Sequence, residues 1–146
     1  MKIIFLDIDG VLINRESCRK GFAVVAPECV AALNNLLSRT KALIVVSSCW
    51  RVGRTRIELC DLFNNWGVTP GRILDKTPHF SFSAIRGHEI EDWLALYKRQ
   101  PIESYVIIDD DLDMGELLPK LVHTTFELGL TQEHVEAALR MLGDIE

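Results

Sequence analysis

Three apolar runs in this chain each end on acidic or hydroxyl residues, and that repetition constrains the fold more than any other feature. Residues 2–8 (KIIFLDI) run into Asp7, Asp9 and Gly10; residues 42–46 (ALIVV) run into Ser47 and Ser48; residues 105–108 (YVII) run into Asp109, Asp110 and Asp111. A strand with one solvated face alternates polar and apolar residues. A near-continuous apolar run therefore reads as a strand buried on both faces, the environment of a parallel sheet covered by helices.

The segments between these runs supply the helices. Residues 27–39 place Val30, Leu33, Leu36 and Leu37 at helical spacing, with Pro27 suited to the first turn. Residues 54–66 carry Ile57, Cys60, Leu62, Phe63 and Trp66 on one broad face, and Gly67 follows as a C-terminal cap. Residues 68–74 make at best a short strand, broken by Pro70 and Gly71, and residues 76–83 read as a loop. Residues 84–99 form a helix through Ile90, Trp93, Leu94 and Tyr97; residues 113–118 form a short one; residues 121–125 form a last strand; and Thr131 caps a helix ending at Leu142. Residues 11–26 lack periodicity and read as a loop or small flap. Strands alternating with helices predict a doubly wound α/β domain of Rossmann-like type with a mostly parallel sheet, spanning 1–146 as one domain.

Composition narrows the function classes. A net charge of −5 and a pI near 5.4 argue against a broad basic surface for duplex nucleic acid, while leaving room for a local basic cleft. Cys18, Cys29, Cys49 and Cys60 form no CxxC pair, so zinc is not expected and the thiols read as reduced, mostly core or near-core. The opening MKIIFLDIDGV is too short and acidic for a signal peptide, and no apolar run nears the ~20 residues a membrane span needs. A cytoplasmic protein without membrane contact is the expectation.

Open parallel sheets bind ligands outside the carboxyl ends of their strands. Asp7, Ser47 and Asp109 stand at three such ends. Acids so close to buried runs are costly unless something pairs them, and hard oxygen donors of this kind favour Mg²⁺. Asp7 and Asp9, two residues apart, share a face of an extended strand, and Gly10 allows close backbone approach to a phosphate.

These residues resemble the motifs of the haloacid dehalogenase (HAD) superfamily. Asp7-Ile8-Asp9-Gly10-Val11-Leu12 resembles its first motif, Ser47 after ALIVV its second, and Asp109-Asp110 after YVII its fourth. Arg86, 23 residues before Asp109, best matches the third-motif cation, with Lys76 as a rival; Ser48 competes with Ser47. The run Arg86-Gly87-His88-Glu89-Ile90 with Trp93-Leu94, and Ser48-Cys49-Trp50-Arg51, look like the HAD domains of RNA-repair proteins. The resemblance implies a Mg²⁺-dependent phosphomonoester hydrolase with Asp7 as nucleophile and Asp9 as acid/base. It also implies Ser47 and Arg86 on the phosphoryl group, and metal held by Asp7, Asp9 (through its carbonyl), Asp109 and Asp110. The intervals 11–26 and 76–85 are too short for a folded cap; an open site would admit a large substrate such as a nucleic-acid end or a phosphoprotein, or a partner subunit would close it, and the RNA-repair resemblance implies an RNA or DNA end. Arg15, Arg19, Lys20, Arg51, Arg54 and Arg56 flank the expected mouth.

Each residue also has a plainer reading: turn-forming aspartates, a strand-end serine, a surface arginine. His79 and His88 are read as surface residues near the mouth, and Trp50, Trp66 and Trp93 as packing aromatics, with Trp50 close enough to border the cleft. Two rival functions are a phosphorylation receiver, which would need Asp75 as its acceptor, and a silent HAD-like interaction module.

Overall fold

The computed structural model describes residues 1–80 and 84–146. Five strands, β1 (Lys2–Leu6), β2 (Leu43–Val46), β3 (Ile73–Lys76), β4 (Ser104–Asp109) and β5 (Leu121–His123), form one sheet in the order β3-β2-β1-β4-β5. Every pairing is parallel.

Alternation along β1 explains why the sheet is covered on both sides. Successive side chains point to opposite faces. Ile4 and Leu6 join Ile44, Val46, Val106 and Ile108 in the larger core, against α2 (Pro27–Ser38), α3 (Arg56–Asn65) and α5 (Gln132–Leu142). Ile3 and Phe5 join Val45 and Ile107 in a smaller core, against Ile90 and Trp93 of α4 (Arg86–Leu96) and Met114. Ile3 through Leu6 are fully buried, each contributing ~1.5–3 kcal/mol through transfer from water. The doubly wound α/β expectation therefore holds, in an all-parallel form.

Register sets the site. Leu6 lies opposite Val46 on one side and Ile108 on the other, so the next residues, Asp7, Ser47 and Asp109, emerge side by side. The ladder continues past the strands: Asp7 N–H donates to the Ile108 carbonyl at 3.0 Å and Ser47 N–H to the Leu6 carbonyl at 2.9 Å. Chain order reverses between β1 and β4, the place where open α/β sheets bind ligands.

Several local expectations change. Residues 11–26 are not all loop: α1 (Arg15–Lys20) forms there, started by a capping box in which Asn14 Oδ1 accepts from Ser17 N–H at 3.0 Å. The third strand lies later than expected and includes Lys76, because Pro70 and Gly71 occupy the turn before it. The short helix read at 113–118 is a 3₁₀ turn, Gly115–Lys120. Cys18 and Cys49 are exposed, not near-core; all four thiols are free. No second folded unit occupies the cap intervals among the described residues, and the expected loop at 76–83 falls partly on 81–83, outside them. No helix among the described residues is long and apolar enough to cross a membrane.

Candidate active site

Carboxylate oxygens of Asp7, Asp109 and Asp110 gather within 4.8 Å of one another at the carboxyl edge of β1 and β4. Asp109 is fully buried and Asp7 nearly so. Asp109 Oδ1 accepts from the Asp111 N–H at 3.0 Å, so Asp111 contributes backbone to the site. Gly10, at φ 79°, packs directly on Asp110: a Cβ there would overlap the Asp110 carboxylate. The Gly10 carbonyl accepts from Thr124 Oγ1 at 2.6 Å, tying the turn after β1 to the segment after β5.

Arg86 reaches into this group. Its Nη1 lies 2.9 Å from Asp109 Oδ2 and 3.2 Å from Asp7 Oδ1. The position of α4 explains how. Ile85 cannot cap the helix through its side chain, and Asp113 does so from the loop after β4, its Oδ2 accepting from Arg86 N–H at 3.1 Å. Gly87 lets the helix sit against the Met114 carbonyl, where a Cβ would overlap. Lys76, the rival cation, instead donates to the carbonyls of Arg54 at 2.6 Å and Arg51 at 3.4 Å.

The two serines part company. Ser48 Oγ accepts from Trp50 N–H at 3.2 Å and starts the 3₁₀ turn Cys49–Arg51. Ser47 Oγ is buried with no hydrogen-bond partner among the described residues. An unpaired buried hydroxyl costs about 1–3 kcal/mol, a cost a bound ligand would offset. Asp9 is exposed, and its Oδ2 accepts from Trp50 Nε1 at 2.9 Å; its carboxylate is not one of the three gathered groups, so any metal role rests on its carbonyl.

Among the rim cations, Arg51 departs from expectation. It is 2% exposed, and its guanidinium donates to Glu89 Oε1 at 2.8 Å and to the carbonyls of Ser48, Thr77 and Pro78. Glu89 Oε2 in turn accepts from Phe80 N–H at 3.1 Å and lies 3.6 Å from His79 Nδ1. This pair clamps the second-motif loop, the segment after β3 and α4 together. Its sequence trace is faint: Glu89 lies three residues after Arg86, on the same helix face. Arg19 pairs with Glu16, Arg56 donates to the Leu74 carbonyl at 3.0 Å and Arg54 to the Trp50 carbonyl at 2.9 Å, while Arg15 and Lys20 are exposed on α1. His88 is exposed, as expected. Asp75, which a receiver would phosphorylate, is held by Trp93 Nε1 at 2.8 Å.

Charge is unbalanced at the centre. Burial pushes the Asp7 and Asp109 carboxyls above the usual range, Asp7 being partly offset by Arg86 and Asp109 pushed further by the Asp7 charge. Arg86 is lowered by burial, but the two carboxylates outweigh that and hold it firmly protonated. One guanidinium faces three carboxylates. A divalent cation with oxygen preference suits that donor set and deficit.

No curated protein matches the chain. A family model does, over residues 3–135, covering the sheet, the carboxylate group, Ser47 and Arg86. The chain belongs to the family described as the HAD domain in Swiss Army Knife RNA repair proteins, within a superfamily of phosphohydrolase type.

Proposed function

We propose that this protein, acting as one domain over 1–146, is a Mg²⁺-dependent phosphomonoester hydrolase working through an aspartyl-phosphate, with polynucleotide terminal phosphates as substrates. The observation carrying the reading is the meeting of Asp7, Asp109, Asp110 and Arg86 at the strand edge that also carries Ser47, whose buried hydroxyl has no partner among the described residues.

Asp7 attacks phosphorus and the bond to the leaving oxygen breaks. Asp9 gives its proton to that oxygen. Water then attacks the acyl-phosphate, Asp9 takes the water's proton, and phosphate leaves with Asp7 restored. Ser47 donates to a phosphoryl oxygen and Arg86 offsets its charge, which lets an anionic nucleophile approach an anionic ester. Mg²⁺, held by the Asp7, Asp109 and Asp110 carboxylates and the Asp9 carbonyl, would supply the remaining positive charge. Among the described residues the mouth carries no folded cap, and the family is that of a domain in RNA repair proteins; both support an extended chain end as substrate.

Hydrolysis of an aryl phosphate with and without Mg²⁺ tests the chemistry. Metal-dependent turnover, lost in Asp7→Asn with the fold intact, is expected; metal-independent turnover, or an active Asp7→Asn, would refute it. End-phosphorylated oligonucleotides should outperform sugar phosphates, and equal or better rates on sugar phosphates would remove the substrate assignment.

A further inference from the structure

An aromatic stack stands beside the proposed acid/base. Trp50, bonded to Asp9 through its indole N–H, is edged by Trp66 with centroids 5.6 Å apart, and the Arg54 guanidinium lies 5.3 Å from its ring centre. Phe22 stacks on Trp50, with centroids 5.3 Å apart and planes 20° apart, yet it remains 88% exposed. The next residue, Ala23, has φ 62°, a left-handed conformation disfavoured for a residue with a Cβ. An exposed phenyl ring on a strained backbone costs stability that the core does not repay, which points to function.

On the proposed reaction Asp9 meets the leaving oxygen, so whatever that oxygen is attached to lies against Trp50 and Phe22. We propose that Phe22, backed by Trp50, is the leaving-group subsite and takes the nucleobase of a phosphorylated nucleotide; this rests on the phosphatase reading above. Base faces stack on aromatic rings with little regard to sequence. Arg54 lies against the Trp50 ring while its Nη1 donates to the Trp50 carbonyl at 2.9 Å, and Arg15 and Lys20 are exposed on the helix that precedes Phe22, so a chain of net charge −5 carries cations near this stretch that phosphodiesters could use. A sugar phosphate has no ring to place there. A phosphotyrosine has a ring, but its peptide backbone offers those cations neutral carbonyls where a polynucleotide offers charged phosphodiesters.

The test compares a nucleoside monophosphate, ribose 5-phosphate, phenyl phosphate and a short single-stranded oligonucleotide with a terminal phosphate. Turnover of ribose 5-phosphate by the unaltered protein reports on the phosphatase reading alone. The ratio of nucleotide to ribose 5-phosphate reports on the subsite, and binding to Asp7→Asn gives that ratio even without turnover. The base should bring about a tenfold advantage, lost in Phe22→Ala and Phe22→Leu and kept in Phe22→Trp. Equal gain by nucleotide and oligonucleotide identifies a free nucleotide as ligand. A larger, salt-sensitive gain by the oligonucleotide identifies a chain end, and either supports the base contact. A base that adds nothing, an advantage that survives Phe22→Leu, or phenyl phosphate gaining as much as the nucleotide would overturn it.

Discussion

Replacing Glu89 by Ala should cost this protein about 4 kcal/mol. Arg51 is 2% exposed and cannot reach water without moving the loops it holds. Stranding one member of a buried ion pair costs about 3–5 kcal/mol. The carbonyls of Ser48, Thr77 and Pro78 still accept from the guanidinium, which favours the lower end of that range. The Phe80 N–H loses its acceptor as well, adding about 1 kcal/mol. A chain of 146 residues should show the sum as a Tm lower by about 8–16 °C and a urea midpoint lower by about 2 M. The double variant Arg51→Met with Glu89→Leu isolates the coupling: it should lose at least ~2 kcal/mol less than the two single variants added together. A loss below about 1 kcal/mol for Glu89→Ala, or strict additivity, would refute the clamp.

Other expectations follow from the same geometry. Ser47→Ala removes a hydroxyl without a partner among the described residues, so stability should hold within ~0.5 kcal/mol while kcat falls about a hundredfold; Ser48→Ala should show the opposite balance, losing the cap on the Cys49–Arg51 turn. Asp109 is raised by burial and by the Asp7 charge, so its ionisation opposes folding. Asp109→Asn should therefore raise the Tm in chelator, while saturating Mg²⁺ stabilises the parent by about 3 kcal/mol and leaves the variant unmoved. Burial lowers the His134 pKa, and its Nδ1 must be unprotonated to accept from Thr131 N–H at 3.0 Å. The unfolded state thus binds the proton more readily, so this contribution is intact above about pH 6.5 and fades as pH falls through the lowered folded value. His134→Gln keeps an acceptor at that capping position and should flatten this part of the stability–pH curve measured in urea.

What was legible beforehand follows from how the information is carried. The three apolar runs each needed burial on both faces, and in a parallel sheet that requirement alone brings the residues after them to one rim; hence Asp7, Ser47 and Asp109 could be grouped before any coordinates. Ser47 directly follows its apolar run and Ser48 comes one residue later, an order the sequence shows, but it does not show that Ser48 Oγ is taken up by the Trp50 N–H. Arg86 could be named only through family resemblance, because its placement depends on Asp113 capping α4 from a different loop. The helix α1 was invisible to periodicity, being six residues started by a capping box rather than by an apolar stripe. Arg51 reads from sequence as a rim cation because a sequence shows a charge but not the three carbonyls and one carboxylate that hold it inside. Phe22 and Trp50 are 28 residues apart, and only the fold stacks them.

The most direct test of the account is where phosphate becomes covalently attached during turnover. Rapid acid quench with a phosphorylated substrate and Mg²⁺, followed by peptide mapping, should place an acid-stable, base-labile phosphoryl group on the peptide containing Asp7, and none in Asp7→Asn. Phosphate on Asp75 or any other residue, or undiminished hydrolysis by Asp7→Asn, would contradict it.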